Sequence, residues 1–481
     1  MLADISRALA RLSLCVFLSA CGLLGPLPER LAGNGVAEPR LAGCPDAEPS
    51  GDCEIGTTHF IADLHTDSLL WGRDLRQRSD EGHADFPRLR DGGVDFQVYA
   101  IPNSTPFPRE TDGVHCASGT DFNTGDILFL VNETLRPGTW SSPRSRTFLQ
   151  AERFHAWTRP GGSEAVPKVI RARGDIAEID AWTKGLPQPA GQPYALLALE
   201  GLNWVHSNPN WVRREIDALI AADFRMVALT HRYSNALAGA SEDCEDLAAG
   251  KERGLSALGR AAIEALIDRG VVIDLAHASS TSIVEVADMV MAADPALRPG
   301  LVMSHGGVYR ACPLPRNLRD EDLRRIALAD GVIGVGFWAE ATCWDPQDRS
   351  DDAVEKTLEA IEDSFFAALA ALQEPQLAKD YEAHWGRDFD PLNHLALGSD
   401  FDGSVKMRFD ASALPRLLAA LKRAKWDAAR CARLDLTDSC ETGGQPFAAD
   451  VVLRRIAGGN MARVIANTLR DDYSPQTAAL Q

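Results

Sequence analysis

Ala62-Asp63-Leu64-His65-Thr66-Asp67 follows Phe60-Ile61 and reads as the end of a short buried strand. His65 and Asp67 are two residues apart, which on a strand sets both side chains on one face. A neutral imidazole and a carboxylate converging at a strand end can hold a divalent transition metal. Taken alone, the pair is weak evidence, since a His-x-Asp is more often a satisfied polar pair at a loop. Its weight comes from what the rest of the chain repeats.

Seven more apolar, β-branched runs follow, at 94–100, 194–199, 226–230, 271–276, 301–304, 332–337 and 395–399, the first being 58–64. The spacing predicts helices over 211–222, 255–269, 280–293, 320–329 and 352–373 between them. Strands alternating with helices argue for parallel βα units, and eight of them for an α/β fold of the (β/α)8 TIM-barrel class. The catalytic domain is expected over 54–470. That exceeds the ~250 residues usual for the fold, so loop insertions are required. The Gly/Pro/Arg/Thr-rich stretch 104–190 and the segments 341–392 and 427–447 are the places for them. No internal repeat is visible.

The chain has 481 residues with a formal net charge of −19, which argues against nucleic acid, whose phosphates select Lys/Arg surfaces. Arg7 and Arg11 lead into the apolar run 12–18 and then Leu18-Ser19-Ala20-Cys21, a pattern that resembles a bacterial lipoprotein signal with Cys21 as the lipidated residue. That run is too short to span a bilayer, and nothing later is long and apolar enough to do so. The expected organisation is a signal peptide over 1–21, a flexible tether over 22–53, the barrel, and a tail over 471–481. The expected location is the periplasm or cell envelope, with a membrane as partner through Cys21. An exported chain keeps disulfides. Beyond Cys15 and Cys21 eight cysteines remain, an even number, and Cys44/Cys53 and Cys431/Cys440 each stand nine apart in loop-like surroundings. Connectivity does not follow from spacing. A zinc ribbon would need Cys-x-x-Cys pairs, which are missing.

Six of the eight predicted strands end in a residue suited to metal or proton chemistry: His65 with Asp67, Glu200, His231, His277, His305 and Asp400. In a barrel all strand C-termini meet at one rim. A single histidine is more often a hydrogen-bonded polar residue than a ligand, but four of the chain's eleven falling at strand ends is hard to obtain by chance. The ligand number suggests two zinc ions, which at ~3.5–4 Å apart need a bridging ligand. Glu200 is the bridge, with His65 and Asp67 completing one ion and His277 and His305 the other. A hydroxide between the ions would be the nucleophile and Asp400 the general base and acid.

With these residues in view, the chain resembles the membrane dipeptidase (renal dipeptidase) family of the amidohydrolase superfamily. The matching stretches are 63–67, Leu199-Glu200-Gly201, Leu229-Thr230-His231, Gly254-Leu255-Ser256, Asp274-Leu275-Ala276-His277, Ser304-His305, Pro315-Arg316-Asn317-Leu318, 398–403 and Gly459-Asn460. They cover roughly 58–103, 194–340 and 393–467. The resemblance implies the same dizinc ligands, with Asp400 handling the proton and His231 binding substrate near the scissile carbonyl. It assigns Arg316 to the substrate's C-terminal carboxylate and pairs Cys312 with Cys343. Tyr233 stands where the family's other internal disulfide expects a cysteine, which leaves Cys116–Cys244 as a substitute. The expected function is hydrolysis of dipeptides, with a C-terminal D-residue among those tolerated, and a homodimer is left open. A lactonase or an acylase for N-acyl amino acids would keep the metals and change the pocket. A non-catalytic surface lipoprotein is disfavoured, since every ligand position is filled.

Overall fold

Eight parallel strands close on themselves in the computed structural model, which describes residues 35–45, 50–103, 107–111, 114–118, 139, 142–161, 166–183, 193–436 and 440–471. They are β1 (Ile61–Thr66), β2 (Val94–Pro102), β3 (Tyr194–Glu200), β4 (Phe224–Ala228), β5 (Val272–Asp274), β6 (Leu301–Gly306), β7 (Val332–Val335) and β8 (Leu395–Leu397). Each pairs with the next, and β8 returns to β1 through Asp63↔Leu397, so the eight strands close; a two-residue strand, Lys168–Val169, joins the start of β3 from outside the ring. The signal segment 1–21 and nearly all of the tail lie outside the described residues.

Alternation along β3 sets the inward face. Leu196, Ala198 and Glu200 share a side of the strand, and Leu196 and Ala198 belong to one buried cluster that draws on all eight strands, among them Ala62, Val98, Met226 and Val302. That cluster continues into Met461, Val464 and Ile465 of the C-terminal helix Asn460–Thr468. The helix therefore plugs the N-terminal end of the barrel and leaves the opposite rim for chemistry. The other strand faces pack against the surrounding helices in a second, larger cluster.

The predicted helices stand within two residues of Pro209–Ala221, Ala257–Arg269, Ser280–Ala292, Asp320–Leu328 and Ala353–Leu372. The 104–190 stretch, expected as an insertion, carries the helix Pro143–Trp157 between β2 and β3. Its buried side includes Arg146, Thr147 and Gln150, so no clean apolar stripe announces it. The 341–392 stretch holds the crossover helix Ala353–Leu372 and an added helix, Pro375–Trp385. Strand β4 starts at Phe224, before the predicted 226. Arg225 is buried inside it because its guanidinium donates to the carbonyls of Ile220 (2.9 Å) and Phe224 (2.8 Å).

Residues 35–45, which the sequence places in the tether, run alongside 407–412: Ala37 N–H donates to Met407 O (2.7 Å) and Cys44 N–H to Ser412 O (2.9 Å). Among the described residues four disulfides are formed, Cys44–Cys53, Cys116–Cys244, Cys312–Cys343 and Cys431–Cys440. Such a set marks a protein that meets an oxidising compartment. Among the described residues no helix is long and apolar enough to cross a membrane.

Candidate metal centre at the barrel rim

The rim gathers every site residue expected from the sequence. His65 and His305 lie within β1 and β6, Glu200 is the last residue of β3, and Asp67 follows β1 directly. His231, His277 and Asp400 each stand three residues past the ends of β4, β5 and β8. Asp67 opens the turn Ser68–Leu70, and its N–H donates to Phe401 O (2.8 Å), which swings its carboxylate back to 3.3 Å from His65 Nε2. His277 and Asp400 hold left-handed φ angles of 62° and 59°. For non-glycine residues this costs about 1–3 kcal/mol each and is typical of functional sites. Gly201, at φ 92°, follows Glu200 where a side chain would press on His231 and Asn203. At Gly403 a side chain would collide with the Asp400 carboxylate.

Glu200 is the hub. Its Oε1 is 3.0 Å from His277 Nε2, 3.6 Å from His305 Nε2 and 3.8 Å from His65 Nε2, and its Oε2 is 3.6 Å from His231 Nε2. The Nε2 atoms of His277 and His305 face each other at 3.2 Å. Asp400 lies 3.9 Å from both His65 and His305. Arg316 brings Nη2 to 3.5 Å from Asp400 and 3.4 Å from His277 Nε2, with its guanidinium 4.6 Å above the buried Trp338 ring.

These donors fit divalent cations. Three sets could each hold an ion: His65/Asp67/Glu200, Glu200/His277/His305 and His65/His305/Asp400, all buried. His65 Nε2, Asp67 Oδ1 and Glu200 Oε2 are buried without a hydrogen-bond partner, which is costly for polar atoms unless something else engages them. Around them His65 Nδ1 is 3.4 Å from Ser304 Oγ, which is also 3.0 Å from His305 Nδ1.

Burial and the close charges shift several groups of the site. Burial works against a charged His65, yet Glu200, Asp67 and Asp400 together hold its proton up to about 10. Burial, and after it the neighbouring His65 and Arg316, keep His305 well below the ordinary histidine range. Burial lifts Asp67 to about 6, Glu200 adding to it. Asp400 rises to about 7 because burial outweighs Arg316 and His65, with Asp67 and Glu200 pushing the same way.

Three contributors were missed from sequence. Glu242 Oε2 accepts from His277 Nδ1–H at 2.8 Å, Arg232 lies 3.2 Å from the other Glu242 oxygen, and Trp338 carries Arg316. Glu242 sits in a loop without period or motif; only the neighbourhood of Trp338 to the β7 end could have pointed to it.

A closed parallel barrel with imidazoles and carboxylates from six strand ends in one buried cluster defines the class of metal-dependent barrel hydrolases. The sequence profile of the membrane dipeptidase family (peptidase family M19) matches residues 177–436, and the chain belongs to that family. It is thus an enzyme, a metal-dependent dipeptidase. Among its relatives are the dipeptidase aclJ of Aspergillus oryzae, 24% identical over 375 residues (75% of this chain, 72% of that one), and the dipeptidase tcpJ of Claviceps purpurea, 27% identical over 346 residues (71% and 64%). A metallopeptidase from Rhodobacter sphaeroides, solved with a phosphinate mimic of the dipeptide L-Ala-D-Ala, shares the fold at TM-score 0.52 and 17% identity, over 85% of this chain and 99% of that one.

Proposed function

We propose that this protein is an exported dizinc dipeptidase, anchored to a membrane through lipidated Cys21. The observation that carries the reading is the Glu200 carboxylate, shared between the His65/Asp67 donors and the His277/His305 donors. Its two oxygens let one carboxylate serve two adjacent ions, which an imidazole with a single free nitrogen cannot do. Bound there, two zinc ions would polarise a scissile carbonyl and bring the pKa of the attacking water toward neutrality.

The chain's own groups do the rest. Arg316, held over the Trp338 ring, offers its fork to the substrate's C-terminal carboxylate. His231 donates to the carbonyl oxygen as negative charge develops there. Asp400, with a pKa near 7, takes the proton from the attacking water and passes it to the leaving amine. The phosphinate-bound relative carries an analogue ending in a D-residue, and a D-residue at the C-terminal position is accordingly included in the substrate class proposed here.

The test is a substrate panel on the zinc-loaded protein: L,L- and L,D-dipeptides against N-acyl amino acids and lactones. Dipeptide turnover with little on the other two classes is the expected result. Zinc-loaded protein that opens lactones or N-acyl amino acids and leaves dipeptides intact overturns it.

A further inference from the structure

Glu242 lies outside the ligand set and outside every motif that marks the family, yet the chain builds a support around it. Ala240 pairs with Ala278 in an antiparallel bridge, and Ser241 N–H donates to His277 O at 2.9 Å. Ser279 N–H donates to Gly239 O at 3.0 Å. Asp243 accepts from Ser234 N–H at 2.9 Å and caps the helix Cys244–Ala249, whose first residue is bridged to Cys116. The loop is thus fastened to the segment that carries His277 just before Glu242, and to Ser234 and Cys116 just after it.

The buried Glu242 carboxylate has three neighbours. Oε2 receives the His277 Nδ1–H at 2.8 Å and lies 3.9 Å from Arg316 Nε, and Oε1 is 3.2 Å from Arg232 Nη2. An imidazole that donates from Nδ1 keeps the Nε2 lone pair for a metal, and the carboxylate fixes the ring's rotation and raises its basicity. Nε2 of His277 is the atom aimed at Glu200. The same carboxylate sits between the guanidiniums of Arg316 and Arg232, so it sets the ligand and the substrate-facing arginine by one group.

We infer that Glu242 is a positioning residue which fixes His277 as an Nε2 metal ligand and registers Arg316 against it. The inference rests on the metal-centre reading above. The two guanidiniums also explain why a carboxylate is affordable at this depth: it is paired on both oxygens.

The test compares zinc affinity, by chelator competition, in the wild-type full chain and two conservative variants. Glu242→Gln keeps an acceptor oxygen for Nδ1–H at full reach and loses the charge. Glu242→Asp keeps the charge and withdraws it by one methylene. Positioning predicts that Glu242→Asp binds zinc about ten- to a hundredfold more weakly, and that Glu242→Gln loses less. It also predicts a lowered kcat in Glu242→Asp at saturating zinc. Undiminished zinc affinity in Glu242→Asp, or a loss in Glu242→Gln as large as in Glu242→Asp, overturns the role. A wild-type chain that binds no zinc removes the centre itself, and with it this inference, a failure read from the wild-type titration alone.

Discussion

Replacing Arg316 by Ala tests how the site reads its substrate. The side chain is mostly buried, its guanidinium stacked 4.6 Å over Trp338 and 3.5 Å from Asp400. A charge-assisted hydrogen bond contributes about 1.5–3 kcal/mol, and a bidentate pair with a carboxylate makes two. Allowing for the water that replaces the fork, the loss is about 2–4 kcal/mol. At ~1.4 kcal/mol per factor of ten that is roughly a 30- to 1,000-fold fall in kcat/KM for a free dipeptide. A C-terminal amide offers the guanidinium one uncharged oxygen in place of a bidentate carboxylate, so it loses a single hydrogen bond at the weak end of the charge-assisted range, about 1.5 kcal/mol or close to tenfold. The ratio of free acid to amide should therefore fall by about 3- to 100-fold. Arg316 is also the largest downward influence on the Asp400 pKa. Without it Asp400 rises further, so a smaller fraction is deprotonated at pH 7 and the acid limb of the rate profile moves to higher pH. The assay is kcat/KM against pH for one dipeptide and its amide. Equal losses on both substrates, with an unmoved acid limb, would refute the carboxylate clamp.

Asp400→Asn should keep its bound zinc and lower kcat by about 10²- to 10⁴-fold, the range of a lost general base; zinc content falling together with turnover would mean that Asp400 acts as a ligand. His394 tests the acid stability of the barrel. It is fully buried, donates from Nδ1 to Gly331 O at 2.8 Å, and burial first, then Arg463, lowers its pKa to about 4. The unfolded chain protonates it near 6.5 while the native state does so only near 4, so the unfolded state binds more protons between the two and stability falls as pH drops through that window. The ceiling is about 3 kcal/mol at pH 4. The stability difference between pH 7 and pH 4.5, from urea unfolding, should be smaller in His394→Asn than in the wild type; an identical difference contradicts the assignment.

The barrel was legible because its strands are short, β-branched and buried, and because rim residues with unusual chemistry end six of them. The candidate ligands were legible for the same reason: His65, Glu200 and His305 need no loop geometry to be placed. His277 and Asp400 reach the site through left-handed backbone, which no residue type at those positions announces. Helix Pro143–Trp157 stayed hidden because it buries Arg146 and Gln150, inverting the pattern that period reading depends on. Glu242 was illegible for a different reason. Its role arises from three partners at sequence distances of 10, 35 and 74 residues, and no local spacing encodes such a contact.

The central claim is that one carboxylate, Glu200, joins two metal sites. Adding zinc stepwise to chelator-treated protein while following dipeptide hydrolysis tests it most directly, with Glu200→Gln alongside. The account predicts that activity rises to a plateau at two zinc equivalents per chain, and that Glu200→Gln loses tight binding of both ions together with nearly all turnover. A plateau at one equivalent, or a Glu200→Gln chain that still binds two zinc ions tightly, would contradict it.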